Sequence, residues 1–340
     1  MTPAATCPLC GDPGQLLYTG LSDHRHGGPA KWEVHRCQSP ECGLLRLHPE
    51  PTDDELAESY GSYYTHQDSP DSRLRRVHGW LANAHVRRTL GYPPPLKTWE
   101  RVLSWLAVLH PGGGAELARG AMFLRKRPRG ARVLDVGAGN GELLAYMAEL
   151  GWEVEGVETD STAAAVGRAR GIDIHDGDLQ SLRLPEAYAD AVTMVHVLEH
   201  VRDPVGLLAE CMRLVRPGGV LVVATPNAAS LGHRIFRRSW MSLDPPRHLF
   251  VFDPQSLRLA TDRAGIDNAR IVTTPRGART AWRQGREIRR HDRLDMIRPP
   301  GFWDHLFGLP FQLIERAAIA LGGRGLGEEL LLFVPKPELG

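Results

Sequence analysis

From residue 131 onward, short runs of β-branched and apolar residues alternate with stretches whose apolar positions recur at helical spacing. Arg132 to Val136 is the first such run, and Leu143, Leu144 and Met147 follow it on one helical face. The strand pattern returns at Trp152 to Val157, Ile172 to His175, Asp190 to Val195, within VRPGGVLVVATPN, at Arg270 to Thr274 and at Leu330 to Val334. Seven strands separated by helices predict an α/β fold built on a largely parallel sheet. Ser256 to Gly265 reads as a further helix closed by its glycine. Ahead of this region the pattern differs. Trp32 to Arg36 alternates like a strand, and Thr52-Asp53-Asp54-Glu55 is a capping box that opens a short helix. Residues 71 to 130 are helical and Arg-rich, broken at Pro93-Pro94-Pro95 and Gly112-Gly113-Gly114. Residues 276 to 328 read as an insertion before the last strand, with Phe302, Trp303 and Leu306 to Leu321 apolar at helical spacing. The expected organisation is a small lobe over 1–50, a helical linker or lid over 51–130, and an α/β domain over 131–340 carrying the insertion.

The chain has 340 residues, which at ~150 residues per domain allows two domains or one with an appendage. A hydrophobic content of 42% and a charged content of 24% suit a globular protein with a full core. The formal net charge of +1 speaks against nucleic acid as the main partner, since phosphate neutralisation shows as a basic stripe or domain. No apolar run reaches the ~18 residues of a membrane span, and MTPAATCPLC lacks the regions of a signal peptide, so a cytoplasmic location is expected. Thiols there stay reduced, and clustered cysteines then point to metal before disulfide.

Four of the five cysteines form two hooks, Cys7-Pro8-Leu9-Cys10 and Cys37-Gln38-Ser39-Pro40-Glu41-Cys42, each followed by glycine. Two tight turns can bring four thiolates to one tetrahedral Zn²⁺, and no general base stands beside them, so the expected role is structural. The fifth, Cys211, lies in a helical pattern and reads as a core thiol.

Gly137, Gly139 and Gly141 sit between the first strand and its helix, where the chain must turn through positive φ and a ligand can lie on bare backbone. The spacing is G-x-G-x-G, and Glu142 at the helix start would repel a pyrophosphate, so a phosphate-free, cation-bearing nucleoside suits the loop better than a dinucleotide. Glu158 closes the second strand, 23 residues beyond Asp135, where an acid accepts both ribose hydroxyls; Asp160 is the alternative.

With these residues the sequence resembles the class I S-adenosylmethionine (SAM) dependent methyltransferases, whose first motif is an acid followed by G-x-G-x-G. The likeness runs in order over residues 131 to 275 and implies a Rossmann-like seven-stranded domain. It places the cofactor on Asp135, Gly137, Ala138, Gly139, Gly141, Glu158, Thr159 and His196. It also implies that Asp178 receives the adenine amino group and that the Leu179 N–H meets a ring nitrogen. The cysteine hooks followed by P-x-P-T and a tyrosine segment resemble the N-terminal lobe of bacterial methyltransferases that act on sugars and other small metabolites. Tyr63 and Tyr64 are accordingly candidate substrate contacts.

His196-Val197-Leu198-Glu199-His200 follows the fourth strand, where donor and acceptor should meet. Ubiquinone-pathway O-methyltransferases carry E-x-x-E-H there, with two acids and the histidine on a divalent ion; here His196 replaces the first acid. Residues 229 to 252 fall where the family inserts an acceptor-binding loop, and Trp240, Asp244, Arg247 and His248 are its candidate contacts. His196 and His248 are the candidate general bases, with Glu199 and His200 beside them. The helix at 306–321 is expected to cover the acceptor pocket, with membrane-surface contact as the lesser alternative. Together these features imply methyl transfer to a small-molecule acceptor, oxygen slightly favoured over carbon or nitrogen. The alternatives are a zinc-finger RNA methyltransferase and a non-catalytic SAM-binding scaffold. The oligomeric state is left open.

Overall fold

The structure is a computed structural model that describes residues 6–29, 31–60, 73–93, 97–105, 113–294, 302–323 and 325–338. In chain order it opens with strands β1 (Gly14–Leu21), β2 (Trp32–Cys37) and β3 (Leu45–His48) and helix α1 (Asp53–Tyr60). Helices α2 (Arg73–Leu90), α3 (Thr98–Ser104) and α4 (Gly113–Ala118) come next. Strand and helix then alternate as β4 (Arg132–Val136), α5 (Glu142–Glu149), β5 (Glu153–Glu158), α6 (Ser161–Ala169), β6 (Asp173–Asp176), β7 (Ala189–Val195), α7 (Pro204–Leu214) and β8 (Val215–Pro226). The rest comprises α8 (Leu231–Phe236), β9 (Phe250–Val251), α9 (Pro254–Arg263), β10 (Arg270–Thr274), α10 (Ala278–His291), α11 (Phe302–Ala320) and β11 (Glu329–Pro335). The seven expected strands all form, in one sheet of order β10-β11-β8-β7-β4-β5-β6.

The chain divides into two compact units, and neither boundary falls at residue 50 or 130. One unit holds 64–195, 210–223 and 333–340; the other holds 1–63, 196–209 and 224–332. Within the former, β4 pairs in parallel with β5 on one side and β7 on the other, and β5 pairs with β6. The strand order therefore reverses at β4, and in such sheets the ligand crevice opens at the carboxyl end of the strand where the order turns back. Val133, Leu134, Ala191, Val192 and Met194 are fully buried, which fits strands covered on both faces. The apolar face of α5 buries Leu144 and Met147, worth about 1.5–3 kcal/mol each. Val86, Tyr92, Met122 and Leu124 share a core with Val133 and Leu144, and the Tyr92 hydroxyl receives Trp152 Nε1 at 2.7 Å.

In the other unit, β1, β2, β3 and β9 form a second, antiparallel sheet, with Leu45 opposite Val251. The N-terminal lobe thus takes a strand from the loop that precedes α9. Leu21, Trp32, Val34, Leu45 and Leu47 bury against Phe236, Trp240, Leu243 and Val251 in one core. Apolar alternation in β2 and β3 could reveal one inward face but not which distant segment would cover it. The Thr52 capping box forms: Thr52 N donates to Glu55 Oε2 at 2.9 Å and Glu55 N to Thr52 Oγ1 at 3.3 Å. Cys211 is fully buried in α7, as expected of a core thiol.

Candidate functional site

The glycine loop leaves β4 at its carboxyl end. Gly137, Gly139 and Gly141 have φ of 75°, 54° and 72°, values that side chains rarely adopt. The Gly137 and Ala138 N–H groups both donate to Val157 O, at 2.8 and 3.0 Å, which fixes the loop against β5. No atom lies within 4 Å of the position a Cβ on Gly139 would take, while Gly141 packs against Ile174 and Gly167. Gly139 thus faces open space and Gly141 serves helix packing.

Beside that space stands Glu158. Its Oε2 accepts Gly139 N at 2.7 Å and its Oε1 accepts Asp160 N at 2.8 Å, with Thr159 Oγ1 at 3.4 Å. One main-chain donor on each oxygen orients the carboxylate and leaves lone pairs for a vicinal diol. Asp160 is committed elsewhere, capping α6 through Thr162 N and Ala163 N. Asp135 is buried and accepts Thr193 Oγ1 at 2.6 Å; desolvation, opposed by that hydrogen bond and reinforced by Glu158, pushes its carboxyl up to about 7. Asp178 follows β6, where its Oδ1 accepts Ser181 N at 2.7 Å, and the adjoining Leu179 side chain is buried. All of these candidates fall in one unit, around the ends of β4, β5 and β6.

A second constellation belongs to the other unit. His196, the residue after β7, has φ 56°, sparsely populated for a residue with a side chain and a kind of strain that gathers at functional sites. Its Nδ1 lies 3.2 Å from Glu199 Oε1 and its Nε2 3.1 Å from Glu329 Oε1. The two carboxylates outweigh a desolvation cost that is only partial, since the side chain is 41% exposed, and raise the imidazole to about 9. With that shift both nitrogens carry protons at neutral pH, the state of a hydrogen-bond donor. Glu329 also pairs with Arg276 at 2.6 Å, and Glu199 Oε2 accepts Thr225 Oγ1 at 2.8 Å. Despite its complete burial, Glu199 is held down at about 2 by the hydrogen bond and charge of His196.

His200 and His248 differ from His196. His200 Nδ1 lies 3.0 Å from Arg247 O and 2.9 Å from the Tyr60 hydroxyl; His248 Nδ1 lies 2.8 Å from Ser242 O. A carbonyl only accepts, so Nδ1 carries the proton in both rings and Nε2 keeps the lone pair. Burial lowers both imidazoles, His200 to about 4, and both are neutral at pH 7. One ligand atom each from Glu199, His200 and His248 lie within 4.8 Å of one another. A carboxylate with two imidazoles whose far nitrogens are tied to carbonyls is a donor set that fits a divalent transition ion.

Three other expected substrate contacts are used differently. Trp240 is fully buried in the core, with Nε1 donating to Glu328 Oε2 at 2.9 Å. Arg247 is equally buried and donates to both oxygens of Asp23 at 2.8 Å and to Asp244 Oδ1 at 2.8 Å; Asp244 also receives Arg25 Nε at 3.1 Å. These side chains build the loop and tie it to residues 23–25 instead of presenting polar groups to a ligand. Spacing could not reveal this, because the partners Asp23, Arg25 and Glu328 are remote in sequence. Tyr63 and Tyr64 lie outside the described residues. Sequence reasoning also passed over Arg276 and Glu329, and it read Tyr60 only as the start of a tyrosine-bearing segment.

The four hook cysteines converge. Cys7 and Cys42 sulfurs are 3.6 Å apart, Cys10 and Cys37 sulfurs 3.3 Å, and all four lie within 4.8 Å of one another. A tetrahedral ion with Zn–S near 2.3 Å sets sulfurs ~3.8 Å apart, so the arrangement fits such an ion.

Residues 112–271 match the family model described as a methyltransferase domain. Among curated relatives, a probable S-adenosylmethionine-dependent methyltransferase of Mycolicibacterium smegmatis is 40% identical over 106 residues, covering 31% of this chain and 41% of that protein. The ubiquinone biosynthesis O-methyltransferase of Maricaulis maris is 32% identical over 155 residues, 42% of this chain and 61% of the relative. The chain thus spans 41% and 61% of the length of these two relatives. Among solved structures, a SAM-dependent methyltransferase from Archaeoglobus fulgidus shares 21% identity over 68% of this chain and 99% of its own, with a TM-score of 0.45.

Proposed function

We propose, from the premise that the chain belongs through residues 112–271 to the class I SAM-dependent methyltransferases, that it methylates a hydroxyl of a small-molecule acceptor with His248 as the base. The observation that carries this reading is the contrast between His196, held as a cation by two carboxylates, and His248, which is neutral, with Nδ1 on the Ser242 carbonyl and Nε2 3.9 Å from Asp244 Oδ2. The relatives named as ubiquinone biosynthesis O-methyltransferases favour oxygen as the acceptor atom.

SAM, when bound, supplies a methyl carbon already activated by its sulfonium. The protein's main task is then alignment, which can contribute ~7–11 kcal/mol. Glu158 holds the ribose hydroxyls, Asp178 the adenine amino group and the Leu179 N–H a ring nitrogen, while bare backbone at Gly139 lets the nucleoside approach. His248 Nε2 takes the acceptor proton, an effect of ~10² to 10⁴-fold. Protonated His196 keeps Glu199 ionised and fixes the backbone turn after β7. In place of the base at His248, Glu199, His200 and His248 would hold a divalent ion through the same lone pairs, and the ion would supply Lewis-acid activation of a hydroxyl. Cys7, Cys10, Cys37 and Cys42 would hold a structural zinc that ties the two hooks together.

The test is incubation with labelled SAM and hydroxylated candidate metabolites, with mass spectrometry of the product. Wild type should transfer methyl to oxygen, His248→Ala should lose turnover at unchanged SAM affinity, and His196→Gln should retain the basic limb of the pH profile. Full activity in His248→Ala would overturn the base assignment. Chelation before assay separates the two uses of the His200 and His248 lone pairs: loss of turnover restored by a divalent ion favours the metal.

A further inference from the structure

Helix α11 is amphipathic in the inverted sense. Its inward side carries Gln312 and Glu315, both buried, along with Phe311. Its outward side, continued just past its end, carries Leu306, Phe307, Leu309, Leu313, Ile314 and Leu321, all exposed; Leu313 is 45% and Ile314 59% accessible. A solvated helix turns its polar side chains outward, and a contiguous exposed apolar strip marks an interaction surface.

The neighbouring helix indicates what covers it. Helix α10 packs along α11 through Trp282 and Phe311, whose rings are 5.1 Å apart, and the Arg279 backbone lies against Gly308. The Arg286 guanidinium stands 5.5 Å over the Phe307 ring. Arg290 and Arg293 lie exposed where α10 ends. From Ala278 to Arg293 there are six arginines, opposed by Glu287 and Asp292 only. An apolar strip with aromatic and leucine side chains, with the Arg286 head over one of its rings and exposed arginines at the end of the adjoining helix, is the chemistry of a helix lying in an anionic membrane interface. Among the described residues no helix is long and apolar enough to cross a membrane, so the contact is along the surface.

We propose that the outward face of α11, flanked by the arginines of α10, docks the protein on anionic phospholipid bilayers. The leucines and Phe307 enter the headgroup boundary and Arg286, Arg290 and Arg293 meet lipid phosphates. This inference stands apart from the choice of acceptor, since it needs only these two helices.

The test is co-sedimentation of the full chain with vesicles of phosphatidylcholine alone or with about one third phosphatidylglycerol. The anionic vesicles should bind the protein at least about tenfold better, and more weakly as salt is raised. Leu313→Glu with Ile314→Glu should reduce that binding about tenfold or more with SAM affinity and melting temperature unchanged. Should that variant fail to fold, Arg290→Glu with Arg293→Glu, both at exposed positions, should remove the preference for anionic vesicles. No binding to anionic vesicles overturns the proposal, as does binding that survives these substitutions. So does a wild-type dimer that the apolar variant dissolves, which would show the strip covered by a second copy.

Discussion

His248 meets His200 edge to face, with ring centroids 4.7 Å apart and planes at 77°. Each ring directs an Nδ1 hydrogen at a main-chain carbonyl, so protonating either Nε2 would put a buried charge beside its neighbour. Desolvation and this mutual repulsion act in the same direction on His200.

Stability should therefore fall on acidification. His200 drops from an ordinary 6.5 to about 4 in the folded protein, so between those values the unfolded chain binds more protons. Its contribution is complete above pH 6.5 and is lost as pH falls toward 4. His196 has the opposite sign: its value rises to about 9, so its contribution is complete below 6.5 and is lost as pH rises through 9. Urea unfolding across pH should show His200→Asn flattening the acid side and His196→Gln the alkaline side. Parallel curves for wild type and His200→Asn between pH 4 and 6.5 would contradict the lowered value of His200.

Glu158→Ala should weaken SAM by about tenfold to a hundredfold in calorimetry. Hydrogen bonds to a charged group contribute about 1.5–3 kcal/mol each, and 1.4 kcal/mol is a factor of ten. The loss of the Gly139 N–H partner adds to the effect, because the loop is no longer tied to its carboxylate. An unchanged affinity would mean that the ribose does not lie beside Glu158.

How much of this was legible in the sequence follows from the range of each interaction. Strand β4 and strand β10 begin and end where their apolar runs do, and the Glu158 position at the end of β5 follows from counting along one βαβ unit. These are local. The partners that set the charge of His196 are not: Glu199 is three residues away, but Glu329 comes from the last strand. The histidine therefore looked like a neutral base until the fold brought a second carboxylate to it. The partners of Trp240, Asp244 and Arg247 are distant for the same reason. Polar and aromatic groups in a loop suggest a ligand, and only the burial of that loop against the N-terminal sheet shows their partners: Glu328 for Trp240, Asp23 and Arg25 for the Arg247–Asp244 pair.

Arg247→Met should cost about 3–5 kcal/mol in stability, the range for removing one partner of a buried ion pair. Asp23 and Asp244 would be left near each other without their shared guanidinium, although Arg25 still reaches Asp244. Because Arg247 has no exposed surface, Michaelis constants for soluble acceptors should change little in whatever fraction stays folded. A large change in acceptor affinity with no loss of stability would return Arg247 to the substrate site.

Metal analysis of the purified protein should find about one zinc per chain bound to the four hook cysteines, with Cys37→Ser abolishing it. The consequences should spread beyond the hooks. Cys37 closes β2, which pairs with β3, which in turn pairs with β9, and Trp32 and Val34 of β2 share a core with Trp240 and Leu243. Loss of the ion should thus loosen this whole unit, seen as a lower melting temperature and altered near-ultraviolet dichroism from Trp240. SAM affinity should change much less, since the residues proposed to hold SAM lie in the other compact unit. A metal-free protein with an unchanged melting temperature would show that the thiols pack as ordinary core side chains.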